Sequence, residues 1–285
     1  MDDAQPISAL FIGGGNMARA ILAGAAASGL DARFIVVEPD EAKHEGLPSP
    51  HATLAAGFAD LCAQENQSGP GTGQVILAVK PQMLSKVAAQ LTPILMSEAQ
   101  AGGPTRVVIS ILAGMTSQKI HEALSGHARV VRTMPNTPAQ VGMGMSAVAV
   151  GEGAKPGDES FARALLGSCG EVIELAEDLL DAFTALAGSG PAYVFYLAES
   201  MAKAGESLGF TTAQADRIAR QTVLGSAHLL AGSPEISAEE LRARVTSKKG
   251  TTQAATDMLD GADLNGIFRV ALTAARDRGR ELAGE

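Results

Sequence analysis

Gly13-Gly14-Gly15-Asn16-Met17-Ala18 follows the apolar run 7–12 directly, and its residue types and spacing suit the pyrophosphate of a dinucleotide. In this GxGxxA pattern Gly13 permits a tight turn, Gly15 lets the phosphates approach the main chain, and Ala18 lets a helix pack closely on a strand. Asn16 and Met17 open that helix, whose free N–H groups and positive dipole end face the anion. A second polar cluster lies far downstream, in Thr246-Ser247-Lys248-Lys249-Gly250-Thr251-Thr252. There Ser247, Gly250, Thr251 and Thr252 stand where another helix begins, so their N–H groups and hydroxyls suit a small carboxylate. Plain helix capping is the alternative use of these hydroxyls. Together the two clusters point to a reductase whose site spans two domains.

Further residues complete the cofactor half. Glu38 ends the β-like run 33–37 and is placed to accept hydrogen bonds from the adenosine ribose hydroxyls. Its charge repels a 2′-phosphate and no arginine directly follows it, so of NADPH or NADH the expectation is NADH. A solvated charge at a strand end is the other reading of Glu38. Ala78, Val79 and Lys80 lie at the end of the apolar run 74–79, and Ala113 follows the run 107–112. Residues at the carboxyl ends of parallel strands face the ligand crevice, which makes these four cofactor contacts. Lys80 as an ordinary surface charge stays open.

The elements needed to position these groups are legible as patterns. An apolar run, the glycines, a helical stretch to about Ser28 with Gly29 as its stop, and the run 33–37 make one βαβ unit of about thirty residues. Further Val/Ile/Leu runs at 74–79, 106–112, 130–133, 145–150 and 172–175 predict parallel strands covered on both faces. Residues 67–73 are Gly/Ser-rich and read as a surface loop. Beyond about Asp178 the strand signals stop, and amphipathic stretches follow at 192–208, 212–231, 238–245, 251–259 and 267–282. The expected fold is therefore α/β: a Rossmann-type dinucleotide-binding domain with a mostly parallel sheet over 1–178, then an all-helical domain over 179–285. So alanine-rich a helical half buries little per residue, which calls for a second subunit to cover its apolar faces.

Composition excludes other classes. The 285 residues carry a formal net charge of −9, which argues against a nucleic-acid surface. Two cysteines without CxxC spacing and five histidines without an HExxH pair offer no metal site. No segment reaches the ~20 apolar residues of a membrane span, and the opening Met-Asp-Asp-Ala-Gln-Pro lacks the flank and apolar run of a signal peptide. A cytoplasmic protein is expected.

On these residues the chain resembles the Δ1-pyrroline-5-carboxylate reductases. The likeness runs through FIGGGNMARAI from Phe11, AVKP from Ala78, SILAGMT from Ser110 and RTMPNTPAQVGMG from Arg132. It continues in TALAGSGPAYVF from Thr184, QTVLGSAHLL from Gln221, VTSKKGTTQAA from Val245 and the closing ALTAARDRGREL. The GSGPAY and GTT segments are the most specific, since generic dinucleotide-binding proteins lack them. The resemblance implies reduction of the cyclic imine 1-pyrroline-5-carboxylate to L-proline by NAD(P)H, the last step of proline biosynthesis. It also implies a helical domain that forms a homodimer, with dimers assembling further into a decamer. Thr252 maps to the family's threonine beside the ring nitrogen, as the catalytic, substrate-orienting hydroxyl. Met134, Pro135 and Asn136 follow another strand and are expected to shape the nicotinamide end of the crevice, although two prolines and an Asn also make any rigid turn. Lys248-Lys249 departs from the family's usual Pro-Gly, which leaves the geometry of that loop open.

Overall fold

The computed structural model describes residues 7–68 and 73–284, the side chains of 66–68 and 283 excepted. Two compact units divide the chain: one takes in the chain up to Gly188 and the stretch from Ala275 on, the other runs from Ser189 to Ala274. This division falls later than the expected boundary at 178/179 and assigns the end of the last helix to the first unit.

In the first unit, strands β1 (Ile7–Ile12), β2 (Ala32–Val37), β3 (Pro50–His51), β4 (Gln74–Leu77), β5 (Arg106–Ser110), β6 (Ala128–Met134), β7 (Gly144–Val150) and β8 (Gly170–Glu174) form one sheet. Among the described residues its order is β3-β2-β1-β4-β5-β6-β7-β8. Among the described residues only the β6–β7 pairing is antiparallel; β1 lies in parallel register with β2, from Ile7 beside Ala32 to Ile12 beside Val37. Helices α1 (Asn16–Ser28), α2 (Leu54–Ser68), α3 (Leu84–Gln100), α4 (Ser117–Ala123), α5 (Ser160–Gly167) and the short α6 (Leu180–Phe183) accompany it.

Side-chain alternation along β1 explains why both sheet faces are covered. Ala9 and Phe11 join a core with Ile21 and Leu22 of α1 and Phe161 and Leu165 of α5. Leu10 and Ile12 point the other way, into a core with Phe58 and Leu61 of α2, Leu91 of α3 and Ile120 of α4. A parallel strand buried on both faces needs a near-continuous apolar run, as 9–12 of β1, 75–77 of β4 and 107–109 of β5 provide. Helix α1 ends at Gly29, whose φ of +68° closes it in the left-handed conformation. The chain leaves β1 for β2 on one side and returns to β4 on the other, which opens a crevice at the carboxyl ends of β1 and β4.

One local expectation is corrected. Gln67 and Ser68 are not loop but the last residues of α2, because the helical run from Leu54 continues to them without a breaker. Residues 69–72 lie outside the described residues, and Gly73 is followed at once by β4.

In the second unit α7 (Gly190–Ser207), α8 (Thr212–Ala231), α9 (Ala238–Arg244), α10 (Thr251–Gly261) and the larger part of α11 (Leu264–Ala283) follow one another. Pro191 sits in the first turn of α7, where its missing N–H costs nothing. Thr211 and Gln214 form a reciprocal capping box at the start of α8. Helices α7 and α8 pack through small residues: a Cβ at Gly205 would stand 3.1 Å from the Cβ of Ala215. None of the residues of α7 is buried, and α8 buries only Ala215 and Ala219. Phe195 is 68% exposed and Met258 is 76% exposed. Apolar faces open to this extent are those of half an interface.

Candidate active site

The cofactor half of the site forms around the glycine turn. Gly13 has φ +109°, and a Cβ there would stand 2.6 Å from the carbonyl oxygen of Ala78. The Gly13 N–H donates to the Val37 carbonyl at 2.8 Å, and the Ala78 N–H donates to that of Ile12 at 2.9 Å. The turn is thus clamped between the ends of β2 and β4. Gly15 behaves differently. It has an ordinary φ of −70°, and a Cβ there would meet nothing within 4 Å. Gly15 is the N-cap of α1, which has no side-chain cap and no acidic residue in its first turn. Unclaimed helix N–H groups beside an open glycine fit a pyrophosphate.

A cavity of about 520 Å³ lies against this turn, within the first unit. Gly13, Gly15, Glu38, Ala78, Val79 and Lys80 all line it, as the strand-end reading requires. Asn16 is exposed and Met17 half-buried in the first turn of α1, outside that lining. The Glu38 carboxylate is not free in solvent. It accepts from the Gly14 N–H at 3.2 Å and from the Asp40 N–H at 3.1 Å. The sequence reading passed over Asp40, Lys43 and Lys86, which also line the cavity. Asp40 and Lys43 form an ion pair of 2.9 Å across a 3-10 turn capped by Asp40. The i,i+3 spacing of an acid and a base after a strand was the signal available for them.

Ala113, Met134, Pro135 and Asn136 do not line this cavity. Ala113 is exposed, whereas Met134 and Pro135 are buried. Both polar atoms of the Asn136 amide are engaged by main chain: Nδ2 donates to the Ala187 carbonyl at 3.0 Å, and Oδ1 accepts from the Met145 N–H at 2.9 Å. Asn136 therefore braces the segment before α7 against β7. Behind it the buried Arg132 guanidinium pairs with Asp181 at 3.0 Å and with Glu177 at 3.4 Å. Glu177 in turn accepts from the Ser117 N–H at 2.7 Å. These bonds fix the end of β6 from below.

The downstream cluster lies in the second unit. Gly250 is the N-cap of α10, and no side chain caps that helix. The hydroxyls of Ser247, Thr251 and Thr252 are thus not spent on capping, contrary to the plainer of the two readings. Thr251 is exposed and Thr252 half-buried. A Cβ at Gly250 would lie 2.2 Å from Ser247 Oγ and 3.0 Å from the Ser247 carbonyl oxygen, so a side chain there would displace the Ser247 hydroxyl. Lys249 adopts φ +61°, and its N–H donates to Gln253 Oε1 at 2.6 Å. That left-handed conformation favours glycine. The turn therefore keeps a glycine-like path even though lysine occupies it.

Comparison with known proteins decides what this arrangement belongs to. A family model described as pyrroline-5-carboxylate reductase dimerisation matches residues 177–282. Another, described as NADP oxidoreductase, coenzyme F420-dependent, matches residues 9–114. A pyrroline-5-carboxylate reductase of Synechocystis is 39% identical over 95% of this chain and 97% of its own length. The chain belongs to the pyrroline-5-carboxylate reductase family. The reductase of Haemophilus influenzae is 34% identical over 95% of this chain and 96% of its own length. The solved structure of a pyrroline-5-carboxylate reductase from Coxiella burnetii superposes with a TM-score of 0.82 at 34% identity, covering 98% of this chain and 99% of that one. Family membership accounts for both halves: an oxidoreductase domain for a nicotinamide cofactor, and a helical dimerisation domain. The open apolar faces of α7 and α8 belong to the latter, so self-association is built into the second unit. No described helix is long and apolar enough to cross a membrane.

Proposed function

We propose that this chain reduces 1-pyrroline-5-carboxylate to L-proline with a nicotinamide cofactor, the last step of proline biosynthesis. The observation that carries the reading is the clamped glycine turn with its open Gly15 and uncapped α1, in a chain of this family. When bound, the nicotinamide supplies the hydride that adds to the imine carbon. The C=N electron pair then withdraws onto nitrogen, and a protonated imine needs no further acid. The chain's residues bind and orient. Gly13, Gly15, Asn16 and Met17 receive the pyrophosphate; Ala78, Val79 and Lys80 line the cofactor cavity, and the exposed Ala113 leaves room for the cofactor beyond it. Met134, Pro135 and Asn136 support its nicotinamide end from behind. Ser247, Gly250 and Thr251 hold the substrate carboxylate, and the Thr252 hydroxyl bonds the ring nitrogen. On this reading residues 1–178 bind the dinucleotide, residues 179–285 bind substrate and dimerise, and the working cytoplasmic enzyme is a homodimer or a decamer built from five such dimers.

Thr252 gives the direct test of the substrate half. Loss of one specific hydrogen bond costs about 1–3 kcal/mol. Thr252→Ala is therefore expected to lower turnover roughly ten- to hundredfold, read as NADH oxidation with pyrroline-5-carboxylate. Wild-type turnover would remove this residue from the mechanism.

Glu38 supports NADH as the preferred cofactor. Its carboxylate is held at the end of β2 by two main-chain N–H groups, which fixes a negative charge where a 2′-phosphate would come. Glu38→Ser is expected to move the NADPH-to-NADH ratio of kcat/KM toward NADPH by about tenfold, the worth of one charge-assisted hydrogen bond. An unchanged ratio would rule the carboxylate out as the discriminator.

A further inference from the structure

Residues 38–47 cross the glycine turn as a strap, and one side chain of α1 gathers it in. Arg19, the residue after the GxGxxA pattern, is half-buried, and its guanidinium points at three main-chain oxygens. Nε donates to the Gly14 carbonyl at 3.1 Å, Nη1 to that of Glu45 at 2.9 Å, and Nη2 to that of Lys43. One rigid fork of donors thus joins the glycine turn to the far side of the strap, a geometry an ammonium cannot reproduce. The strap is held at other points too. His44 Nε2 lies 2.7 Å from the Glu38 carbonyl, and Leu47 is buried against the turn, where a Cβ on Gly14 would meet its Cδ1 at 2.7 Å. The groups the strap carries, Glu38, Asp40 and Lys43, all line the cavity.

We infer that Arg19 is a positioning residue for the adenosine end of the dinucleotide: it sets the strap 38–47 and through it the places of Glu38, Asp40 and Lys43. This rests on the reading of the cavity as the dinucleotide site. Arg19 touches no reacting atom on this account. Its loss acts on cofactor affinity, because the strap reaches the cavity through Glu38, Pro39, Asp40 and Lys43.

The test uses the full-length enzyme. Arg19→Ala is expected to raise the KM for NADH about tenfold and to weaken ADP-ribose binding by a similar factor in calorimetry. Turnover at saturating NADH and the KM for pyrroline-5-carboxylate should stay within about twofold of wild type, since neither depends on interactions with the strap. Hydrogen exchange of residues 41–47 should quicken, and Arg19→Lys should recover only part of the affinity. Should the alanine variant fail to fold, Arg19→Gln, which keeps the aliphatic stem, takes its place. Unchanged NADH and ADP-ribose affinities would overturn the role of Arg19, as would a parallel rise in the KM for the imine. Wild-type enzyme that binds none of NADH, NADPH and ADP-ribose would overturn the dinucleotide reading itself, a result distinct from either.

Discussion

Gly13→Ala is expected to lose NADH binding by at least about a hundredfold, the worth of two charge-assisted hydrogen bonds to the pyrophosphate. The new methyl would stand 2.6 Å from the Ala78 carbonyl oxygen at a φ of +109°. Neither the strand end nor the turn can yield without moving the other, since the Gly13 N–H is tied to Val37 and the Ala78 N–H to Ile12. Holding a non-glycine residue in such a conformation costs about 1–3 kcal/mol, so the melting temperature should fall as well. Gly15→Ala makes the informative contrast. Its Cβ enters open space at a permitted φ, so stability should be kept while the methyl obstructs the phosphates. Calorimetric titration with NADH beside thermal melts reads both. NADH affinity at the wild-type level in Gly13→Ala would withdraw the cavity from the cofactor.

The largest expected loss of stability lies away from the site. Arg106, at the start of β5, is almost fully buried, with Glu65 of α2 at 2.6 Å and Glu98 of α3 also paired to it. Its guanidinium also donates to the Gly73 carbonyl at 3.1 Å and stands 5.1 Å from the Phe58 ring centre. Burial works against this charge, but the hydrogen bonds that Arg106 donates to the Glu98 and Glu65 carboxylates outweigh it and hold the guanidinium pKa above its usual value. Arg106→Met would leave two carboxylates facing each other in the interior, at a cost of about 3–5 kcal/mol. Denaturant unfolding checks this. The triple variant Arg106→Met, Glu65→Gln, Glu98→Met should regain most of the loss, because it removes the stranded charges along with their partner. An Arg106→Met protein as stable as wild type would mean that the cluster contributes nothing.

Much of this was legible in the amino-acid order because it depends on local rules. The helix from Asn16 to Ser28 and its stop at Gly29 follow from turn chemistry and spacing. The unbroken apolar runs announced strands covered on both faces, and the resemblance in the GSGPAY and GTT segments named the family. The exposed faces of α7 and α8 were implicit in an alanine-rich half too poor in bulky residues to close on itself.

Other features required the folded chain, because they join residues distant in sequence. The Asn136 amide is held by the main chain of Ala187 and Met145, fifty-one and nine positions away. Nothing in the local order shows that Arg106 meets Glu65 across forty-one positions, or that Arg19 reaches the Glu45 carbonyl across twenty-six. That the hydroxyls of the 247–252 cluster do not cap α10 also required the folded chain. Sequence alone determined the first βαβ unit, the main strand runs and the helical second half, and which protein family they build. Only tertiary structure decided which polar groups remain open to a ligand, since a side chain's hydrogen bonds are spent on whichever partners folding brings within reach.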